Sequence, residues 1–143
     1  MNRMSKKLNK KGFTLAELLI VVAIIAVLVV VSVPIFSSKL EKAREAADVA
    51  NMRAAKAAAA SMYLSGEIEA DKIYFYDAAE GRLIESNEDI TGYGQGTKTD
   101  GKTVYQGYES NNKDYTGQII NIKITQDSDG QIKVDVNWAA KSE

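Results

Sequence analysis

Residues 13–36, FTLAELLIVVAIIAVLVVVSVPIF, form a run of 24 residues in which the only charged side chain is Glu17. At helical rise such a run spans roughly 36 Å, about the depth of a bilayer core. Leucine, isoleucine, valine and alanine fill every side of that helix, so no face of it is suited to water. The segment therefore needs lipid or other apolar helices around it. A carboxylate inside it costs about 2.5–3.5 kcal/mol on insertion scales. Glu17, close to the start of the run, thus calls for a partner.

The flanks orient the segment. Arg3, Lys6, Lys7, Lys10 and Lys11 give residues 1–12 a charge of +5 with no acid. Positive flanks stay on the cytoplasmic side, so the rest of the chain faces outward. A cleaved secretory signal needs a small-x-small site after the apolar core. Pro34 in VSVPIF obstructs cleavage there. A plain membrane anchor remains as the simplest alternative. Residues 13–143 carry the other 13 basic and all 19 acidic side chains, a balance of −6. That acidic body argues against phosphate-driven binding of nucleic acid. Cysteine and histidine are both absent. Disulfides, most zinc, haem and thiol chemistry, and nucleophilic catalysis of the Ser-His or Cys-His kind go with them. The residues form no catalytic constellation, no cofactor site and no metal site, so they point away from an enzyme.

Residues 37–65 read as a second helical stretch. Alanine fills ten of the eighteen positions from 43 to 60, which favours helix by propensity. Leu40, Ala43, Ala47, Ala50, Ala54, Ala57, Ser61 and Leu64 recur at steps of three and four, a seam of small residues. This seam is expected to pack in part on the domain's own sheet and, in its first half, on other copies of the chain. Charged residues, Glu41, Glu45 and Asp48 among them, fall on the other faces. Gly66 is a natural C-terminal cap. Pro34 is expected to kink or locally melt a helix that would otherwise run about 80 Å from Phe13 to Ser65.

Residues 66–143 read as a loop region followed by a sheet. Ile120, Ile122 and Ile124 share one face, as do Ile132, Val134, Val136 and Trp138, giving two half-buried strands at 119–125 and 132–138. QDSDGQ between them supplies a hairpin turn. A third strand is expected in 102–108. The stretch 66–118 is long for a connection and reads as an exposed functional loop region. Six of the seven tyrosines (74, 76, 93, 105, 108 and 115) lie in it and are assigned to local packing. Asp127, Asp129 and Gly130 suggest a calcium loop, but the EF-hand spacing fails and a plain turn is expected.

Residues 10–34, KKGFTLAELLIVVAIIAVLVVVSVP, resemble the N-terminus of a type IV pilin precursor. The resemblance implies an α+β pilin fold, a long N-terminal helix packed on a small antiparallel sheet. It implies a leader at 1–12, a membrane and filament-core helix at 13–36, an amphipathic helix of the head at 37–65, and head loops and sheet at 66–143. A prepilin peptidase would cut between Gly12 and Phe13 and N-methylate Phe13. Phe13 and Glu17 would be the assembly residues, and Pro34 the helix break. The implied partners are further copies of the chain, the peptidase and N-methyltransferase, the motor and platform proteins of pilus assembly, and the membrane before assembly. The chain has no P-loop, so the motor is external.

The implied role is a structural subunit of an extracellular filament, held in the cytoplasmic membrane before assembly. Cleavage creates a cationic amine on Phe13 at the mouth of the apolar zone. Glu17 of an incoming subunit pairs with that amine on another subunit, or Glu17 pairs within its own chain, near its helix dipole. Absence of a cysteine pair favours a Gram-positive pilin or a pseudopilin of a secretion or competence system. A single-pass anchored binding protein is the reading from another class. No glycine interrupts 13–36, which limits melting ahead of Pro34.

Overall fold

The computed structural model describes residues 12–97, 103–105, 108–109 and 113–141. It divides into two compact units, Met1–Lys39 and Leu40–Glu143. One helix, α1 (Leu15–Leu64), contributes to both. Its secondary structure is unbroken through Pro34, so the local melting expected there does not occur. Proline removes one backbone donor, and the intact turns on either side, free of glycine, carry the helix across that gap.

The helix ends as its sequence suggests. Gly66 adopts φ +82°, which a glycine reaches without penalty. Its N–H donates to the Tyr63 carbonyl at 3.1 Å, and the Glu67 N–H donates to the Met62 carbonyl at 2.8 Å. These two bonds form a Schellman cap.

In the second unit, residues of α1 between Val49 and Tyr63 pack on a four-stranded antiparallel sheet in which 82–84, 73–77, 119–126 and 132–139 lie side by side in that order. The strands are β1 (Ile73–Asp77), β2 (Arg82–Ile84), β5 (Ile119–Gln126) and β6 (Ile132–Ala139). The short strands β3 (Val104–Tyr105) and β4 (Tyr108–Glu109) pair separately with each other. The β5–β6 hairpin has the expected register, with Ile120 opposite Trp138, Ile122 opposite Val136 and Ile124 opposite Val134. Asp127 shapes its turn: one carboxylate oxygen, Oδ1, accepts from the Asp129 and Gln131 amides, each at 2.9 Å.

Two expectations are corrected. The strand foreseen in 102–108 joins no large sheet; its described residues 104, 105 and 108 belong to the small β3–β4 ladder. The third and fourth strands of the main sheet instead lie at 73–77 and 82–84, within the supposed loop region. IYFYD is apolar or aromatic on both faces, so it shows no alternation of polarity. The tyrosines do pack locally: Tyr74, Tyr76, Tyr108 and Tyr115 are buried, and Tyr93 and Tyr105 lie against the core.

The buried face of α1 is a further correction. The small-residue seam faces outward, with Leu40, Ala43, Ala50, Ala54, Ala57, Ser61 and Leu64 exposed and Ala47 half-buried. The face on the core is Glu41, Glu45, Asp48, Met52, Ala55, Ala59 and Met62. Both stripes step by three and four, so periodicity alone does not choose between them. Hydrogen-bond donors from a distant loop, residues 95–97, decide it.

Candidate functional site

The first unit presents the start of α1. Phe13 is 85% exposed, and from Phe13 to Phe36 every leucine, isoleucine, valine and phenylalanine is more than half exposed. Full burial of such a side chain away from water is worth about 1.5–3 kcal/mol, and the segment leaves much of that stabilisation to apolar surroundings outside its own fold. The helix is long and apolar enough to cross a membrane.

Gly12 and Phe13 lead into the helix and are exposed. Thr14 is its N-cap. The Thr14 hydroxyl oxygen accepts from the Glu17 N–H at 3.1 Å, and Glu17 Oε2 accepts from the Thr14 N–H at 3.4 Å. This reciprocal pair is a capping box. The Leu18 N–H donates to the Thr14 carbonyl at 3.2 Å, opening the regular ladder. Glu17 therefore sits where its charge favours the positive end of the helix dipole. Gly12 and Phe13 precede the helix and Glu17 lies in its first turn, while Pro34 lies several turns away.

The second unit holds a polar cluster unforeseen in the sequence. Glu41, Glu45 and Asp48 lie in one buried row on α1. Asp48 Oδ1 accepts from the Gln95 N–H at 2.8 Å. Asp48 Oδ2 accepts from the Gly96 N–H at 2.7 Å and from the Tyr108 hydroxyl at 2.9 Å. Glu41 takes the next residue: Oε1 accepts from the Thr97 N–H at 2.7 Å and Oε2 from the Thr97 hydroxyl at 2.6 Å. Arg44 stands 3.5 Å from Glu41 Oε2. Burial raises the Asp48 pKa more than these donors lower it. Burial, then the hydrogen bond to Asp48, pushes the Tyr108 phenol well above its ordinary range.

Those carboxylates hold a strap, residues 92–97, onto the helix. Its sequence GYGQGT alternates glycine with larger residues, and each glycine is needed for space. A Cβ on Gly92 would overlap the Gly117 carbonyl, one on Gly94 the Tyr115 carbonyl, and one on Gly96 the Tyr108 hydroxyl. Between them Tyr93 points into the sheet. Its hydroxyl donates to the Tyr76 carbonyl and accepts from the Ile120 N–H, both at 2.8 Å. The β1–β5 register stops at Phe75 and Asn121, so the Tyr93 hydroxyl bridges the position where the next ladder bond would form. Tyr93, Tyr108 and Tyr115 then close around Trp138, with ring centroids 5.7, 6.3 and 5.7 Å from it.

Among known families, the model of the prokaryotic N-terminal methylation motif matches residues 7–33. The chain carries a class III prepilin signal. No curated protein and no solved structure matches it. The motif supports a type IV pilin-like or pseudopilin precursor with a membrane-anchored stage. The match contains Gly12, Phe13, Thr14 and Glu17 and ends just before Pro34. Two features went unread in the sequence although each has a signal. Thr14-x-x-Glu17 has capping-box spacing, and Gly92-x-Gly94-x-Gly96 marks close backbone approach.

Proposed function

We propose that the chain is a structural subunit of an extracellular type IV pilus. A prepilin peptidase cuts between Gly12 and Phe13, and the new Phe13 amine is N-methylated. The processed subunit waits in the cytoplasmic membrane until a motor and platform complex transfers it to the base of a filament. There its apolar helix leaves lipid and bundles with those of other copies, and the exposed small-residue face at 43–61 packs against neighbouring subunits. The observation that carries this reading is the conjunction of the methylation motif at 7–33 with a helix whose leucine, isoleucine, valine and phenylalanine side chains up to Phe36 are all more than half exposed.

Glu17 gives the docking step its direction. Its carboxylate on an incoming subunit pairs with the cationic amine of Phe13 on one already in place. Methylation leaves that amine charged. An uncleaved chain has only a neutral amide at Phe13 and cannot make the pair. Glu17→Gln removes the charge at nearly constant size. The expected outcome is a normally processed chain that stays in the membrane, with filament yield down by at least about tenfold, the factor that a charge-assisted bond of ~1.5 kcal/mol represents. Normal filament yield from Glu17→Gln cells would remove the docking role.

A further inference from the structure

We propose that Lys42 and Arg44 bind the phosphates of anionic phospholipids on the outer face of the cytoplasmic membrane, holding the waiting subunit at a set depth. The inference rests only on the membrane stage of the reading above and adds a lipid partner to it. Residues 40–48, LEKAREAAD, hold three acids and two bases, so the sequence by itself shows no basic patch. The fold sorts these charges. Glu41, Glu45 and Asp48 are all buried, and Glu41 and Asp48 accept from the strap and from Tyr108. Lys42 is exposed, and Arg44 keeps 39% of its side chain exposed while standing 3.5 Å from Glu41. This stretch therefore turns only cations toward its surroundings. Its place in the chain suits lipid. Lys42 follows Phe36, the end of the apolar run, by six residues, about 9 Å at helical rise. Headgroup layers extend a bilayer core of about 30 Å to about 40–45 Å, and the apolar run already exceeds that core. Helical side chains lean toward the helix N-terminus, so Lys42 and Arg44 lean back toward the headgroups. Their long apolar stems let the charged ends snorkel to phosphate level. A guanidinium with one nitrogen near Glu41 still has donors left for a phosphate.

The test uses the full chain, which has no cysteine, so Ser38→Cys provides a single site for a bimane label. The labelled chain is reconstituted in nanodiscs of phosphatidylcholine and phosphatidylglycerol. An equal small fraction of one lipid or the other carries a doxyl quencher on its acyl chain, close to the headgroup. Phosphatidylglycerol is expected to quench as though enriched around the label by at least about fivefold, the factor for one cation at an anionic surface. The +5 leader gathers its lipids on the opposite side of the bilayer, out of reach of the label. Lys42→Gln combined with Arg44→Gln is expected to lose at least about that fivefold factor, and Lys42→Arg to retain the enrichment. Thermal unfolding of each variant monitors the head. Lys42→Gln alone, at an exposed position, leaves Arg44 on Glu41 and is expected to lose part of the enrichment. Equal quenching by the two lipids in the parent chain overturns the inference, as does undiminished enrichment in a folded Lys42→Gln chain. Quenching by neither lipid would instead overturn the membrane stage and take the inference with it.

Discussion

Asp48 is a fully buried carboxylate in the second unit. Its two oxygens receive three donors from residues 47 to 60 positions away. In Asp48→Asn, one of those oxygens becomes an NH2 group facing N–H or O–H donors. The expected loss is about 2–3 kcal/mol, measured as the shift of thermal unfolding of the full chain in detergent. Gly94 tests the strap by shape alone. A methyl there meets the Tyr115 carbonyl and the Trp138 ring, so Gly94→Ala should destabilise by about 1–3 kcal/mol. At Gly66 a methyl meets no neighbour but inherits φ +82°. Gly66→Ala should therefore cost less than Gly94→Ala in the same assay. Burial also raises the phenol pKa values of Tyr76, Tyr93 and Tyr108. The fold thus prefers each phenol protonated. Its stabilising contribution is complete below the ordinary value of 10.0 and is lost as pH rises through and beyond it. Phenolate absorbance should therefore lag a free-tyrosine titration and rise together with unfolding. A titration of all seven tyrosines at the ordinary value in a still-folded head would contradict this.

At the scale of elements, α1 shows what a single sequence makes legible. Its existence, its C-terminal cap and its apolar first half follow from propensity, a glycine and composition. The face it buries does not, because the alanine-rich part has little contrast between sides and the donors that seat Glu41 and Asp48 lie in a remote loop. The β5–β6 hairpin was legible from clean alternation over a short turn. Strands β1 and β2 were not, since IYFYD lacks alternation and RLI is only three residues long. At the start of α1, resemblance singles out Gly12, Phe13 and Glu17, whereas the capping role of Thr14 is visible only in the geometry. The corrected face leads to a paired prediction. Ala50→Glu, on the exposed side, should leave head stability within about 0.5 kcal/mol yet block filament formation. Ala55→Glu, at a fully buried position, should unfold the head. Filaments of normal yield from Ala50→Glu would show that this face is not used between subunits.

For the whole molecule, the division of labour follows the two units. Residues 40–143 bury a core of their own, built on the inner faces of the sheet and one side of α1. The apolar first half of α1 has no residue buried within the described fold, and its exposed apolar surface is suited to lipid or to other such helices. On the function proposed above, that apolar surface serves a membrane and then a polymer, and a cut after Gly12 would leave it intact while replacing a +5 leader with one cationic amine. The most direct measurement is the intact mass and N-terminal sequence of this protein in filaments sheared from the cell surface. The account predicts an abundant chain beginning at N-methylated Phe13. A processed chain confined to the cell envelope would assign it to a pseudopilin. A full-length chain retaining residues 1–12, found only in membranes while the assembly machinery is active, would contradict the account.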